Sequence, residues 1–164
     1  MYLARALPWQ DDEQAAPAAG TGLLAHLDAV YGFALRLTGD ADVAAELAED
    51  VFVSTRAHLW TTLGGHGLRD RLLAGCISAF TARLARGVRR RPANAPRTGP
   101  RPTPLRAVLL ELPWNERAAV ALADQLRLTY ASGAAVLGVD ASEFRTLLHS
   151  GRSVLFAAYG TGAR

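Results

Sequence analysis

The sequence predicts an all-α protein made of two small helical domains, and three observations carry that expectation. Apolar residues recur at steps of three and four over long stretches, alternating polar and apolar runs are scarce, and a proline- and arginine-rich interval separates two periodic regions. At 164 residues, with 50% hydrophobic and 20% charged, the chain suits one domain of usual size or two small ones. All 18 basic residues are arginine, and the net charge of +3 is compatible with a polyanionic partner without requiring one.

Residues 1–22 hold Pro8, Pro17, the cluster Asp11-Asp12-Glu13 and an Ala/Gly-rich end with no sustained period, and read as a flexible extension. Residues 23–60 read as a helical hairpin. Leu24, Leu27, Tyr31, Ala34 and Leu37 lay one apolar stripe, and Val43, Leu47, Val51, Thr55 and Leu59 lay another. Between them stands Thr38-Gly39-Asp40. Gly39 can take the left-handed conformation that ends a helix, and Asp40 can accept from the free amides that start the next. Asp42, Glu46, Glu49 and Asp50 place negative charge beside the second stripe. That surface suits a basic partner, although solvation alone also accounts for an acidic helix face.

Gly64-Gly65-His66-Gly67 has little helix preference and must form a loop. A third helix is expected from Leu68 to about Arg90, because Leu68, Leu72, Cys76, Phe80, Leu84 and Val88 recur every fourth residue, and it closes a three-helix domain over residues 23–91. Arg83, Arg86, Arg89, Arg90, Arg91, Arg97 and Arg101 follow with no acidic residue among them. Such a run serves either the helix C-terminus and solubility or contact with nucleic-acid phosphates. Pro92, Pro96, Pro100, Pro102 and Pro104 make residues 92–104 a semi-extended linker.

The second domain is expected over residues 105–160. Leu105, Val108, Leu109 and Leu112 form a short helix, Pro113-Trp114-Asn115-Glu116 opens the next, and Ala118, Leu122 and Leu126 line it. The stretch from Thr129 to Leu155 then fits helix-turn-helix spacing. Ala134 takes the small position between helices, Gly138 the turn, and Leu137, Val139, Phe144 and Leu147 the inward positions. Asp140 and Glu143 supply a capping-box-like start for the second helix. Ser142, Glu143, Arg145, Thr146, His149 and Arg152 then face outward or lie near its DNA end.

Two segments resemble a known family. ALRLTGDADVAAELAEDVF, with Tyr31 before it, is similar to the second conserved region of extracytoplasmic-function (group IV) RNA polymerase sigma factors. Leu112-Pro113, Tyr130, Ala134, Leu137-Gly138-Val139 and Leu148-His149-Ser150-Gly151-Arg152 are similar to the fourth. The resemblance implies that Glu46, Glu49, Asp50 and Phe52 bind the core polymerase. It also implies that Ser142, Glu143, Arg145, Thr146, His149 and Arg152, with Arg86, Arg89 and Arg90, face DNA. The chain departs from the family's pattern in three places. LRDRLLAGCISAF carries Arg69 and Arg71 and is then largely apolar, a degenerate version of the helix that opens promoters. Leu147 and Ser150 stand where basic residues are frequent. Gly133 stands where a large aliphatic residue is usual, a loss worth about 2–4 kcal/mol in a tight core.

The expectation is a sigma factor whose partners are RNA polymerase core enzyme, promoter DNA and an anti-sigma factor. The alternative is a sigma-like interaction module that binds an anti-sigma factor or polymerase without opening promoters. A stand-alone helix-turn-helix repressor fits less well, because the N-terminal block offers few polar groups for a ligand pocket. No Ser/His/Asp, paired-carboxylate or phosphate-loop pattern appears, so no catalytic residue is expected. Cys76 is the sole cysteine and the four histidines lack ligand spacing, so neither metal nor cofactor is expected. With no signal peptide and no apolar run near the ~20 residues of a membrane span, a cytoplasmic location is expected.

Overall fold

The computed structural model describes residues 19–58, 67–87 and 103–160, and every regular element among them is helical. The first block holds α1 (Ala19–Leu24), α2 (Leu27–Thr38), α3 (Ala41–His58) and α4 (Leu68–Ala85). The second holds α5 (Pro104–Glu111), α6 (Trp114–Val120), a π-helical turn (Ala121–Gln125), α7 (Tyr130–Leu137) and α8 (Ala141–Gly160). The glycine loop up to His66, the linker up to Pro102, and Arg89 and Arg90 lie outside the described residues.

The hairpin turn forms as its residues dictate. Gly39 adopts φ 73° and donates its N–H to the Leu35 carbonyl at 2.9 Å. The Asp40 carboxylate accepts from the amides of Asp42 at 3.0 Å and Val43 at 3.2 Å. The first stripe differs from expectation. The chain breaks between α1 and α2, where the His26 amide donates to Leu23, and this resets the helical phase. Leu23, Val30, Phe33, Ala34 and Leu37 are buried, whereas Leu24 and Leu27 stand 65% and 44% exposed. α1 also begins inside the stretch read as an extension. At the other end of the block, α4 stops at Ala85 rather than near Arg90. Gly87 takes φ 64°, a conformation that costs glycine little, and its amide turns back to the Leu84 carbonyl at 3.0 Å.

In the second block Thr103 caps α5, accepting from the Arg106 amide, and Pro104 sits in the first turn, where its missing N–H is not needed. α6 does not end cleanly. It widens into the π turn, with Leu126 N–H reaching Ala121 and Leu128 N–H reaching Leu122, both at 3.0 Å. Arg127, two residues after it, is held at φ 57°. Thr129 then caps α7 through the Ser132 amide at 3.1 Å. Gly138 at φ 75° ends α7, and Asp140 starts α8 by accepting from Ser142 and Glu143, each at 2.8 Å.

Gly133 corrects the expectation of a weakened core. A Cβ built there would meet the Phe144 ring, with Cε2 at 2.9 Å and Cζ nearer still. The volume expected at position 133 is supplied from α8 by Phe144, which is fully buried. No loss of the cavity type follows.

The buried faces of both blocks join in one apolar core. Phe80 of α4 packs on Trp114 of α6 with ring centroids 6.0 Å apart. Leu110 of α5 lies on the hairpin turn, where a Cβ on Gly39 would stand 2.7 Å from its Cδ2. Arg69 of α4 donates to the Leu126 carbonyl at 2.7 Å, and Arg106 of α5 donates to the Gly39 carbonyl at 3.4 Å.

Candidate functional site

Two charged faces and one covered helix make up the candidate site. On α3, Asp42, Glu46, Glu49 and Asp50 are all exposed, and their positions on a 3.6-residue repeat keep them on the outer side. Phe52, the fourth residue implied for polymerase binding, is half-buried and packs on the core, so a partner meets only part of its ring. Val53 continues the acidic face with an apolar patch, 65% exposed.

This face is not all free charge. Arg83 of α4 donates Nη2 to Asp50 at 2.7 Å and Nη1 to Glu46 at 3.1 Å. The Asp50 hydrogen bond first, then Glu46, hold the guanidinium above its ordinary range against the desolvation that lowers it. Arg83 therefore leaves the basic run in which the sequence groups it. Of the arginines implied for DNA contact near this end, Arg86 is exposed just beyond α4.

On α8, Ser142, Glu143, Arg145, Thr146 and His149 are exposed, while Phe144 and Leu148 are buried on the opposite side. The Asp140 cap fixes where the helix begins and hence which residues face out. Arg145 is placed over the Tyr130 ring, its guanidinium carbon 5.8 Å from the centroid, and Tyr130 in turn leans on Phe144 at 6.3 Å. An arginine stacked in this way is pre-oriented, which lowers the entropy lost when it grips an anion.

Arg152 is placed differently from its neighbours. Its Nε donates to Asp124 Oδ2 at 3.1 Å and its Nη2 to Asp124 Oδ1 at 2.5 Å, a two-pronged pair with the π turn. Asp124 foremost, and then the Tyr130 hydroxyl, hold it above its ordinary range. Ser150 likewise turns inward, donating to Glu116 Oε1 at 2.9 Å. The lower half of α8 is thus tied to α6 and the π turn, and the upper half is open.

The helix implied for promoter opening, α4, is covered along one side. Arg69, Leu73, Cys76 and Phe80 recur at steps of four and three and lie along one stripe, and both ends of that stripe touch the second block. Leu73 and Cys76 between them are fully buried. Burial pushes the Cys76 thiol up to about 12. The residues that sequence reasoning missed are Arg83, Asp124 and Tyr130 as positioning groups. The signal for Arg83 is that it falls on the α3 side of α4, eight residues after Gly75, where a Cβ would stand 3.2 Å from Val51 of α3.

No family model matches the sequence. The fold, by contrast, is shared with solved proteins. A structure of the sigma factor RpoE in complex with the anti-sigma factor NepR from Bartonella quintana superposes with a TM-score of 0.74 at 20% identity, over 86% of this chain and 96% of that one. The anti-anti-sigma factor PhyR, complexed with NepR from the same organism, superposes with a TM-score of 0.60 at 16% identity, over 84% of this chain and 49% of that one. The helical arrangement described above is therefore a sigma-factor fold. Among the described residues no helix is long and apolar enough to cross a membrane.

Proposed function

We propose that this protein is a sigma factor of the extracytoplasmic-function kind, acting in the cytoplasm by binding alone and bringing RNA polymerase core enzyme to specific promoters. The observation that carries the reading is the pairing, on one sigma-factor fold, of an acidic outer face on α3 with a capped helix α8 whose outer residues are open. Glu46, Glu49 and Asp50 with the rim of Phe52 form the polymerase face. Ser142, Glu143, Arg145, Thr146 and His149 read the major groove, with Arg86 on the phosphates. In vitro transcription with purified core enzyme over a genomic promoter library tests it. Promoter-specific transcripts are expected, and Glu46→Gln, Glu49→Gln and Asp50→Asn together should abolish co-purification with core enzyme. Transcripts that are no more specific than with core enzyme alone would overturn the reading.

One observation favours a second reading, an interaction module that binds an anti-sigma factor or polymerase without opening promoters. The stripe of α4 from Arg69 to Phe80 is packed on the second block, and of the exposed positions Arg71, Ser78, Ala82, Leu84 and Ala85 of the same helix none is aromatic and Arg71 alone is basic. Unpaired bases are held by aromatic stacking worth about 1–3 kcal/mol each, and such a platform is missing from those positions. The two solved structures named above are both complexes with the anti-sigma factor NepR. Tight binding of a NepR-like anti-sigma factor, combined with core binding and no transcripts, would select this reading.

A further inference from the structure

The π turn is gripped from two sides. From the first block, Arg69 donates to the Leu126 carbonyl immediately after it. From α8, Arg152 holds the Asp124 carboxylate within it. A π turn of five residues carries wider hydrogen bonds than the α-helix it interrupts, and Arg127 behind it is held at φ 57°, a conformation costly for a side-chain-bearing residue. Its shape is therefore maintained by its surroundings. The Arg152 and Asp124 side chains are 41% and 39% exposed, so solvent anions reach this pair.

We propose that the π turn is a latch coupling the nucleic-acid face of α8 to closure of the second block over α4. A backbone phosphate that takes Arg152 away from Asp124 slackens the turn, moves the Leu126 carbonyl off Arg69, and lets the Phe80–Trp114 contact part. Binding by α8 thus favours the open form, and by linkage the open form binds a polyanion more tightly. The inference rests on α8 facing nucleic acid, as proposed above, and it deepens that reading by giving the closed form a release.

Cys76 provides the readout. It is the sole cysteine, lies on the stripe between Arg69 and Phe80, and is fully buried. Burial pushes its thiol up to about 12, so in the closed form almost no thiolate exists at neutral pH and reaction with a thiol reagent requires opening. Alkylation by a maleimide is measured on the full chain at low denaturant, where a rate independent of denaturant marks local opening and a steeply dependent one marks global unfolding. Arg69→Met should raise the denaturant-independent rate on the order of tenfold, as expected for loss of a charged hydrogen bond. Asp124→Asn and Arg152→Met should each raise it about two- to fivefold, the scale of a half-exposed ion pair. Either change should add little once Arg69 is already Met. Rates for Asp124→Asn and Arg152→Met equal to that of the unsubstituted chain would overturn the latch.

A short mixed-sequence DNA duplex at low salt, with binding read by fluorescence anisotropy, tests the coupling. Binding that accelerates alkylation in the unsubstituted chain but not in Arg152→Met is the expected result. Binding with an unchanged rate overturns the coupling while leaving α8 as a nucleic-acid face. Absence of binding even at low salt removes the nucleic-acid reading of α8, and with it the phosphate as release, while the substitution series still decides the latch itself.

Discussion

Two turns in this molecule share a left-handed glycine and a capping aspartate and do different work. Thr38-Gly39-Asp40 joins α2 to α3, and Gly138-Val139-Asp140 joins α7 to α8. Each has a glycine in the left-handed region, at φ 73° and 75°, and an aspartate whose carboxylate accepts from the amides two and three residues on. Around Gly138 a Cβ would meet nothing within 4 Å, whereas at Gly39 it would stand 2.7 Å from Leu110 of the other block. The same local code therefore shapes one turn only and, at the other, also leaves room for the block that closes on it. Equal backbone angles do not make two glycines equally replaceable.

Substitution can break this comparison, and the largest effect is expected at Gly39. Gly39→Ala should cost about 3 kcal/mol, adding the left-handed penalty of about 1–2 kcal/mol to the displacement of Leu110. Urea unfolding with an unchanged denaturant slope measures it. Gly138→Ala carries the conformational penalty alone and should cost about 1–2 kcal/mol. A loss at Gly138 as large as at Gly39 would remove the distinction between the turns. The comparison sharpens in a Leu110→Ala background, where the additional cost of Gly39→Ala should fall to that of Gly138→Ala, leaving a coupling of about 1 kcal/mol or more between positions 39 and 110. The smallest effects belong to the caps. Asp40→Ala and Asp140→Ala should each cost about 1 kcal/mol, and they should agree with each other, because each aspartate closes two amides of its own helix.

The caps also show where the sequence could be read. Gly39, Asp40, Gly138 and Asp140 were assigned their roles correctly because all the partners lie within four residues, so pattern and structure are the same information. The all-helical class and the inward positions Ala134, Leu137 and Phe144 were legible for a related reason, since helical periodicity is local. The phase of the first stripe was misread because the break at His26 has no glycine or proline to announce it. The π turn is equally silent, as nothing in Ala121–Gln125 distinguishes it from an ordinary helical turn. The pairs that define the candidate site were beyond reach altogether: Arg83 with Glu46 and Asp50, Arg152 with Asp124, and Arg69 with Leu126 are separated by 28 to 57 residues. Charge grouped Arg83 in a basic run, and helix-turn-helix spacing with the family resemblance set Arg152 among nucleic-acid contacts, yet each has a carboxylate of its own chain.

The meeting of Gly133 with Phe144 bears on how such a sequence can drift. The two positions share a single volume, so the chain can change at one of them only at a loss. A leucine at 133 has no room while the ring is present, and a smaller residue at 144 leaves a hole while the glycine remains. Simultaneous exchange of the two is the low-cost step, and single steps are uphill in either order. A position-by-position pattern scores Gly133 as a defect of the helix-turn-helix, although the side chain it misses is still there, carried eleven residues further on by Phe144.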